Sequence, residues 1–296
     1  MGFRGPPHLS ADPISDIQQM LQYPFMVSAL EAGAIVAVMA GVAGWFMVLR
    51  RQSFAGHTLS VMSFPGAGGA ALVGLPLASG YFAFAGLAAL VIAGTSGGGG
   101  PGRRAQESAV VGAVQAAGYA AGFLFLSLYH GVLESLETLL FGSYLGITQG
   151  EVVTLLAVAV AALAFFAVAG RPLLFASVDA EVARVNGVPV RSLSIVFLVV
   201  LGLAVAATAQ ITGVLLVFAL LVAPAAVAQE LTRRVGPGLV LTVVVGLLVT
   251  SVGLALAFFS DGPVGFFVTS FAFALFVVAR LARRVVDRRP SGAPEA

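Results

Sequence analysis

Residues 27–51 read VSALEAGAIVAVMAGVAGWFMVLRR. The first 23 of them, Val27 to Leu49, hold one charge, Glu31, and end on Arg50 and Arg51. About 20 apolar residues let an α-helix cross the hydrocarbon core of a bilayer, so this stretch reads as a membrane anchor. The rest of the chain has the same character. Of 296 residues, 59% are hydrophobic and 9% charged, with a mean hydropathy of +1.03. A soluble domain carries roughly 25% charged residues. A chain this poor in charge cannot cover a globular surface, so the fold class is all-α, a polytopic bundle of transmembrane helices.

Working outward, nine apolar spans are predicted, near 27–49, 58–78, 81–95, 107–128, 152–169, 190–209, 212–228, 238–259 and 263–280. The third is short, and the sixth and seventh are parted only by Gln210 and Ile211. All fifteen basic residues are Arg. Arg50 and Arg51, Arg103 and Arg104, Arg171 with Arg184 and Arg191, Arg233 and Arg234, and the cluster from Arg280 to Arg289 then fall on one side, and only Arg4 on the other. The excess of Arg in cytoplasmic loops places the N-terminus outside and the C-terminus in the cytoplasm. The opposite connections carry Glu134, Glu137, Glu151 and Asp261. Residues 1–26 read as an extracytoplasmic tail, not a signal peptide. Residues 27–280 form the membrane domain and 281–296 a basic cytoplasmic tail. GTSGGGGPG at 94–102 reads as a flexible connector. The glycines inside the spans, such as Gly33, Gly41 and Gly44, mark close helix packing.

One polar island interrupts the apolar chain: DAEVARVNG, Asp179 to Gly187. Asp179 suits an N-cap and Gly187 the left-handed C′ position, with about two turns of helix between. Glu181 and Arg184 are its charges, and Val182, Ala183 and Val185 its apolar contact. A helix so short needs support. It either rests on its own chain as an ordinary loop helix or docks on another protein.

Most chemistry is excluded residue by residue. Without Lys there is no phosphate-binding loop of the Walker A type, so ATP is not bound that way. HExxH is absent, there is no nucleophile–base constellation, and a chain with no Cys and three His makes no structural zinc site. The net charge of +2 argues against nucleic acid. His8 and His130 read as solvated. Glu31, one turn into the first span, reads as a structural or interfacial acid. His57 opens the second span in GHTLSVMSFPG, where Pro65 and Gly66 are expected to break the backbone ladder. Pro224 in LLVAPAAVA marks a matching break in the other half. Paired interruptions of this kind point to a translocation path, and ordinary packing of Pro-containing spans is the alternative.

Three segments carry a resemblance. FMVLRRQSFAGHTLSVMSFPG (46–66), LETLLFGSYLGIT (136–148), and DAEVARVNGVPV (179–190) followed by QITGVLLVFALLVAPAAVAQELT (210–232) occur in the order and spacing found in the integral membrane permeases of metal-type ABC importers, the zinc, manganese and iron group. The chain resembles that family over about residues 27–280. The resemblance implies that Asp179, Glu181, Val182, Ala183, Arg184 and Gly187 form a coupling helix seated in a separate ATP-binding subunit, so that no cofactor is bound by this chain. It further implies a second permease copy in a homodimer, an extracytoplasmic solute-binding protein, and a location in the cytoplasmic membrane of a prokaryote. The path would run past His57, Ser60, Met62, Pro65, Gly66 and Pro224, with His57 as the metal-facing group. The family's Asp/His pair stands here as His57 and Val61, and its FGD Asp as Ser143. The cargo is therefore open between a metal ion, a chelate and a small organic solute. Two other readings remain: an ATPase-independent channel or carrier, and a non-transporting structural subunit.

Overall fold

The computed structural model describes residues 13–95, 103–129, 146–260 and 262–287. Among them twelve α-helices follow in order: α1 (Pro13–Leu21), α2 (Pro24–Leu49), α3 (Ser53–Val61), α4 (Ser63–Leu72), α5 (Leu77–Thr95), α6 (Arg103–Leu128), α7 (Gln149–Val178), α8 (Ala180–Val185), α9 (Val190–Thr212), α10 (Val214–Leu231), α11 (Val235–Ser260) and α12 (Val264–Asp287). Seven of these, α2, α5, α6, α7, α9, α11 and α12, are long and apolar enough to cross a membrane, and α10 is a shorter apolar helix. The expected bundle of membrane helices is present. Within the segment read as a tail, residues 13–21 are helical.

The helix α2 is the centre. Its apolar residues run all round it, which is the pattern of a buried helix. Some 67% of its membrane-length window is buried, against 17% for α6 and α12. It packs on α7, α10 and α11, while α9 packs on α5 and α7 and α10 also contacts α12. Small residues permit the approach: a methyl group built at Gly44 would fall on the Leu221 carbonyl of α10. The same holds between α4 and α5, where a methyl at Gly66 or Gly80 would land on the other's backbone. With no hydrophobic drive between helices in lipid, this close packing is a main source of cohesion. Phe46 of α2 stacks on Phe166 of α7 at 5.0 Å, and Phe166 meets Phe197 of α9 edge-on at 6.2 Å.

The span expected at 58–78 is two short helices. Their break lies at Met62, not at Pro65. Proline lacks an N–H and its ring presses on the carbonyl four residues back, here Val61. The ladder therefore fails one turn before the proline, and Pro65 itself sits in the first turn of α4, where a missing donor is tolerated. The matching break expected at Pro224 is absent: α10 runs unbroken through it. The true interruption of that half is Gly213, with φ 75° and ψ 160°. Only glycine occupies that region readily. It parts α9 from α10 two residues later than the expected join.

At its start α7 is fixed by a reciprocal cap. The Thr148 hydroxyl accepts from the Glu151 N–H at 3.3 Å, and the Thr148 N–H donates to Glu151 Oε2 at 2.8 Å. This is a capping box, T-x-x-E, and it gives Glu151 a structural task. The helix continues past the expected end at 169 to Val178, through Pro172, and so carries Arg171 within it.

Candidate functional site

The island at 179–187 folds as α8 with both ends satisfied. Asp179 is the N-cap: its Oδ1 accepts from the Glu181 and Val182 N–H groups, each at 3.0 Å. At the other end Gly187 has φ +82°. The Gly187 N–H donates to the Arg184 carbonyl and the Val188 N–H to the Ala183 carbonyl, both at 3.0 Å. That pair of bonds is a Schellman motif. The Asn186 side-chain amide adds a bond to the Val182 carbonyl at 2.8 Å. Six residues cannot hold a helix in water. The caps hold this one, together with a seat on α7 and α9.

The apolar residues of α8 do not share one contact, as expected from sequence, but divide. Ala183 is fully buried against the chain itself, whereas Val182 and Val185 are 47% and 88% exposed. Val178, just before the cap, is 82% exposed, and Glu181 and Arg184 flank the face in solvent. A short rigid helix with valines on its outer side and charges at their edge is a surface shaped for contact.

Sequence reasoning did not single out the residue that anchors this helix. Arg50, just beyond α2, donates to the Ser177 hydroxyl at 3.2 Å, the Ser194 hydroxyl at 2.7 Å and Gln52 Oε1 at 3.2 Å. Its guanidinium lies 5.1 Å from the centre of the Phe197 ring. Burial pulls its pKa down from the ordinary value and Glu107 opposes that; a guanidinium stays protonated in either case. Ser177 precedes α8 and Ser194 follows it, so one cation holds both shoulders of the helix. The next residue, Arg51, has φ 57°. Its N–H donates to the Val48 carbonyl and the Gln52 N–H to the Met47 carbonyl, so α2 also ends in a Schellman motif, with Arg where glycine is usual.

Other bonds gather helix ends here. The Gln229 side chain donates to the Trp45 carbonyl at 3.4 Å, and Arg283 pairs with Glu230 at 3.0 Å. The C-terminal ends of α2, α7, α10 and α12 and the N-terminal end of α9 thus meet at one end of the bundle.

The second cluster lies around the α3–α4 break. His57 packs edge-on to Phe218 of α10, with ring centres 4.9 Å apart. The Ser60 hydroxyl donates to the His57 carbonyl at 2.7 Å and is satisfied within its helix. Thr58, fully buried, bonds Gln115 of α6 at 3.1 Å. His57 Nδ1 and the Ser63 hydroxyl are buried and without a partner among the described residues. Buried polar atoms are normally paired, and the Thr250 hydroxyl is a third orphan elsewhere in the bundle. Met62 and Pro65 lie against Gly118 of α6, and Gly66 against Gly80, so these three serve packing. Pro224 is on the same helix as Phe218 but further along. Thr58 and Ser63 are polar positions legible within the span itself, whereas Gln115 was missed, and its signal was polarity inside an apolar span. Among the described residues no group of three or more His, Cys, Asp or Glu comes together. His8, His130, Ser143 and most of the segment 136–148 lie outside the described residues.

The profile of the ABC 3 transport family matches residues 22–283. The chain belongs to that family. The manganese transport system membrane protein MntC of Halalkalibacterium halodurans is 28% identical over 261 residues, 88% of each chain. The chelated iron transport system membrane protein YfeC of Yersinia pestis is 28% identical over 261 residues, 88% of this chain and 87% of that one. The solved structure described as PsaBC from Streptococcus pneumoniae in complex with Fab superimposes with a TM-score of 0.77 at 25% identity, over 90% of this chain and 94% of that one. As a member of the ABC 3 transport family, this chain is the multi-pass membrane permease subunit of a bacterial ABC transporter. ATP hydrolysis belongs to a separate subunit, as in ABC transporters of this family.

Proposed function

We propose that this permease imports a divalent metal ion or a metal chelate, driven by an ATPase subunit docked on α8. The observation that carries the reading is the outer face of α8, where Val182 and Val185 stand exposed on a helix capped at both ends, with Val178 exposed beside them at the end of α7. A rigid, apolar, charge-edged knob is what a partner's groove would grip, and Asp179, Glu181, Arg184 and Gly187 set its shape. Relatives that carry manganese or chelated iron in their names support the cargo class.

The Arg distribution supports a cytoplasmic position for this end of the bundle. Nine crossings agree with it when α3 and α4 count as one broken span and α10 as another. The α3–α4 pair covers about 20 residues, or roughly 30 Å of helix, enough for the hydrocarbon core. Two permease copies would enclose a path along α3, α4 and α10, and an extracytoplasmic binding protein would deliver cargo at the other end. His57, with the Ser63 hydroxyl, is the group that would meet it. Neither is a carboxylate, which suits a cargo whose charge is already balanced by a chelator better than a bare dication.

Two measurements test the reading. Val185→Asp and Glu181→Arg should each abolish co-purification of the ATPase subunit while the permease remains folded in the membrane. Retained association and transport would refute docking at α8. Uptake of Mn, Fe and Zn by cells carrying the whole set, compared with cells lacking the permease, tests the cargo. No difference for any metal would refute the metal assignment.

A further inference from the structure

We propose that Arg50 is the positioning residue that transmits movement of α8 to the broken α3–α4 segment; this rests on the docking of an ATPase at α8. Three observations converge. First, the guanidinium holds Ser177 and Ser194, which stand on either side of α8. A push on α8 therefore reaches Arg50 from both shoulders at once. Second, Arg50 is the C-cap of α2, the most buried of the candidate spans, whose close contacts at Gly44 and along Phe46 leave it little room to yield. Third, the chain leaves Arg50 through Arg51 in the left-handed conformation and enters α3 at Ser53. The His57 ring lies one turn further on and the Met62 break two turns further on. Packed interiors resist gradual deformation and switch between discrete arrangements. With α2 fixed, the soft points are the Arg51 turn and the Met62 break.

The alternative route is to tear the clamp. That would strip a half-buried cation of its acceptors, and hydrogen bonds to a charged group are the stronger kind. The Phe197 ring beneath the guanidinium adds a cation–π contact that holds it in place. So α8, both serines and the start of α3 are tied to move together. The negative charge of Glu107 on α6 favours the charged form of Arg50.

The chain has no Cys, so a single reporter thiol is unique. Ser63→Cys places one beside the break with a small change in size. The test uses the full complex in proteoliposomes. It measures the labelling rate of this thiol with and without ATP plus vanadate and, in the chain that keeps Ser63, Mn2+ uptake per ATP hydrolysed. The parent should show a nucleotide-dependent change in labelling of about five-fold, the scale of an ordinary coupling between sites. Arg50→Met, and separately Ser177→Ala with Ser194→Ala, should remove that change and lower uptake per ATP by a similar factor. The ATPase subunit should still co-purify in both. Arg50→Lys, which keeps charge but loses the fork that reaches both serines, should restore only part. A purely structural role would lower the amount of complex and leave the nucleotide response of the surviving complex unchanged; that result overturns the proposal. Loss of ATPase binding in the double-serine variant overturns it as well, because the clamp would then be part of the docking surface. A parent that binds no ATPase refutes docking at α8 itself, a different failure from a parent that responds beside variants that respond equally.

Discussion

Arg50 donates to the Ser194 hydroxyl at 2.7 Å across 144 positions of sequence. A hydrogen bond to a charged group contributes about 1.5–3 kcal/mol, more than a neutral one. Arg50 keeps two other acceptors when this one is removed. Ser194→Ala should therefore destabilise the protein by about 1–2 kcal/mol, near the lower end of that range. Thermal unfolding in detergent reads the change, and an unchanged midpoint would show that Arg50 does not hold α9.

Arg51 occupies the left-handed position that ends α2. An L-residue there is disfavoured by roughly 1–2 kcal/mol, and glycine gives part of that back through its freer unfolded chain. Arg51→Gly should stabilise the fold by about 0.5–1 kcal/mol. A lower unfolding midpoint would mean that the Arg51 side chain makes a contact worth more than the strain.

Gly213 has φ 75° and ψ 160°, a region closed to other residues. Gly213→Ala should cost on the order of 1–3 kcal/mol and draw α9 and α10 toward one continuous helix. The expected readout is a lower yield of folded protein with faster proteolysis near the junction. Equal yield and equal proteolysis would contradict the backbone geometry.

The Gly66–Gly80 contact leaves no room for a methyl on either side, since each would meet the other's backbone. Overpacking of this kind costs typically about 1–3 kcal/mol. Gly80→Ala should loosen α4 from α5 and raise the labelling of a thiol placed at Ser63. No rise in labelling would show the two helices free to separate slightly without consequence.

Thr148 and Glu151 cap α7 reciprocally. Thr148→Ala should cost about 1 kcal/mol and Thr148→Ser little, because the serine hydroxyl makes the same bond. Equal loss in both variants would place the cost in the methyl group instead of the cap.

Much of this architecture is legible in single residues. Asp179 and Gly187 forecast both caps of α8, because capping chemistry is local and needs only the right atom at the right offset. The capping box at Thr148 and Glu151 was equally local and lay open to the same reading. Pro65 announced a break, yet its place is one turn upstream, where the ring meets the Val61 carbonyl. Pro224 announced a break that α10 does not show.

What the amino-acid sequence determined alone was the class: a bundle of membrane helices, with a capped polar helix between two of its spans. Hydrophobic burial and capping are additive over short stretches, so composition and offsets suffice for that. What only the tertiary structure decided was how that helix is tied to the rest. Val182 and Val185 face out while Ala183 faces in, because α7 and α9 converge beneath one side only. Arg50 reads as an ordinary flanking charge until packing brings Ser177, Ser194 and Phe197 around it. A half-buried cation takes its partners from whatever the fold places within about 3 Å, and no spacing along the chain encodes that set.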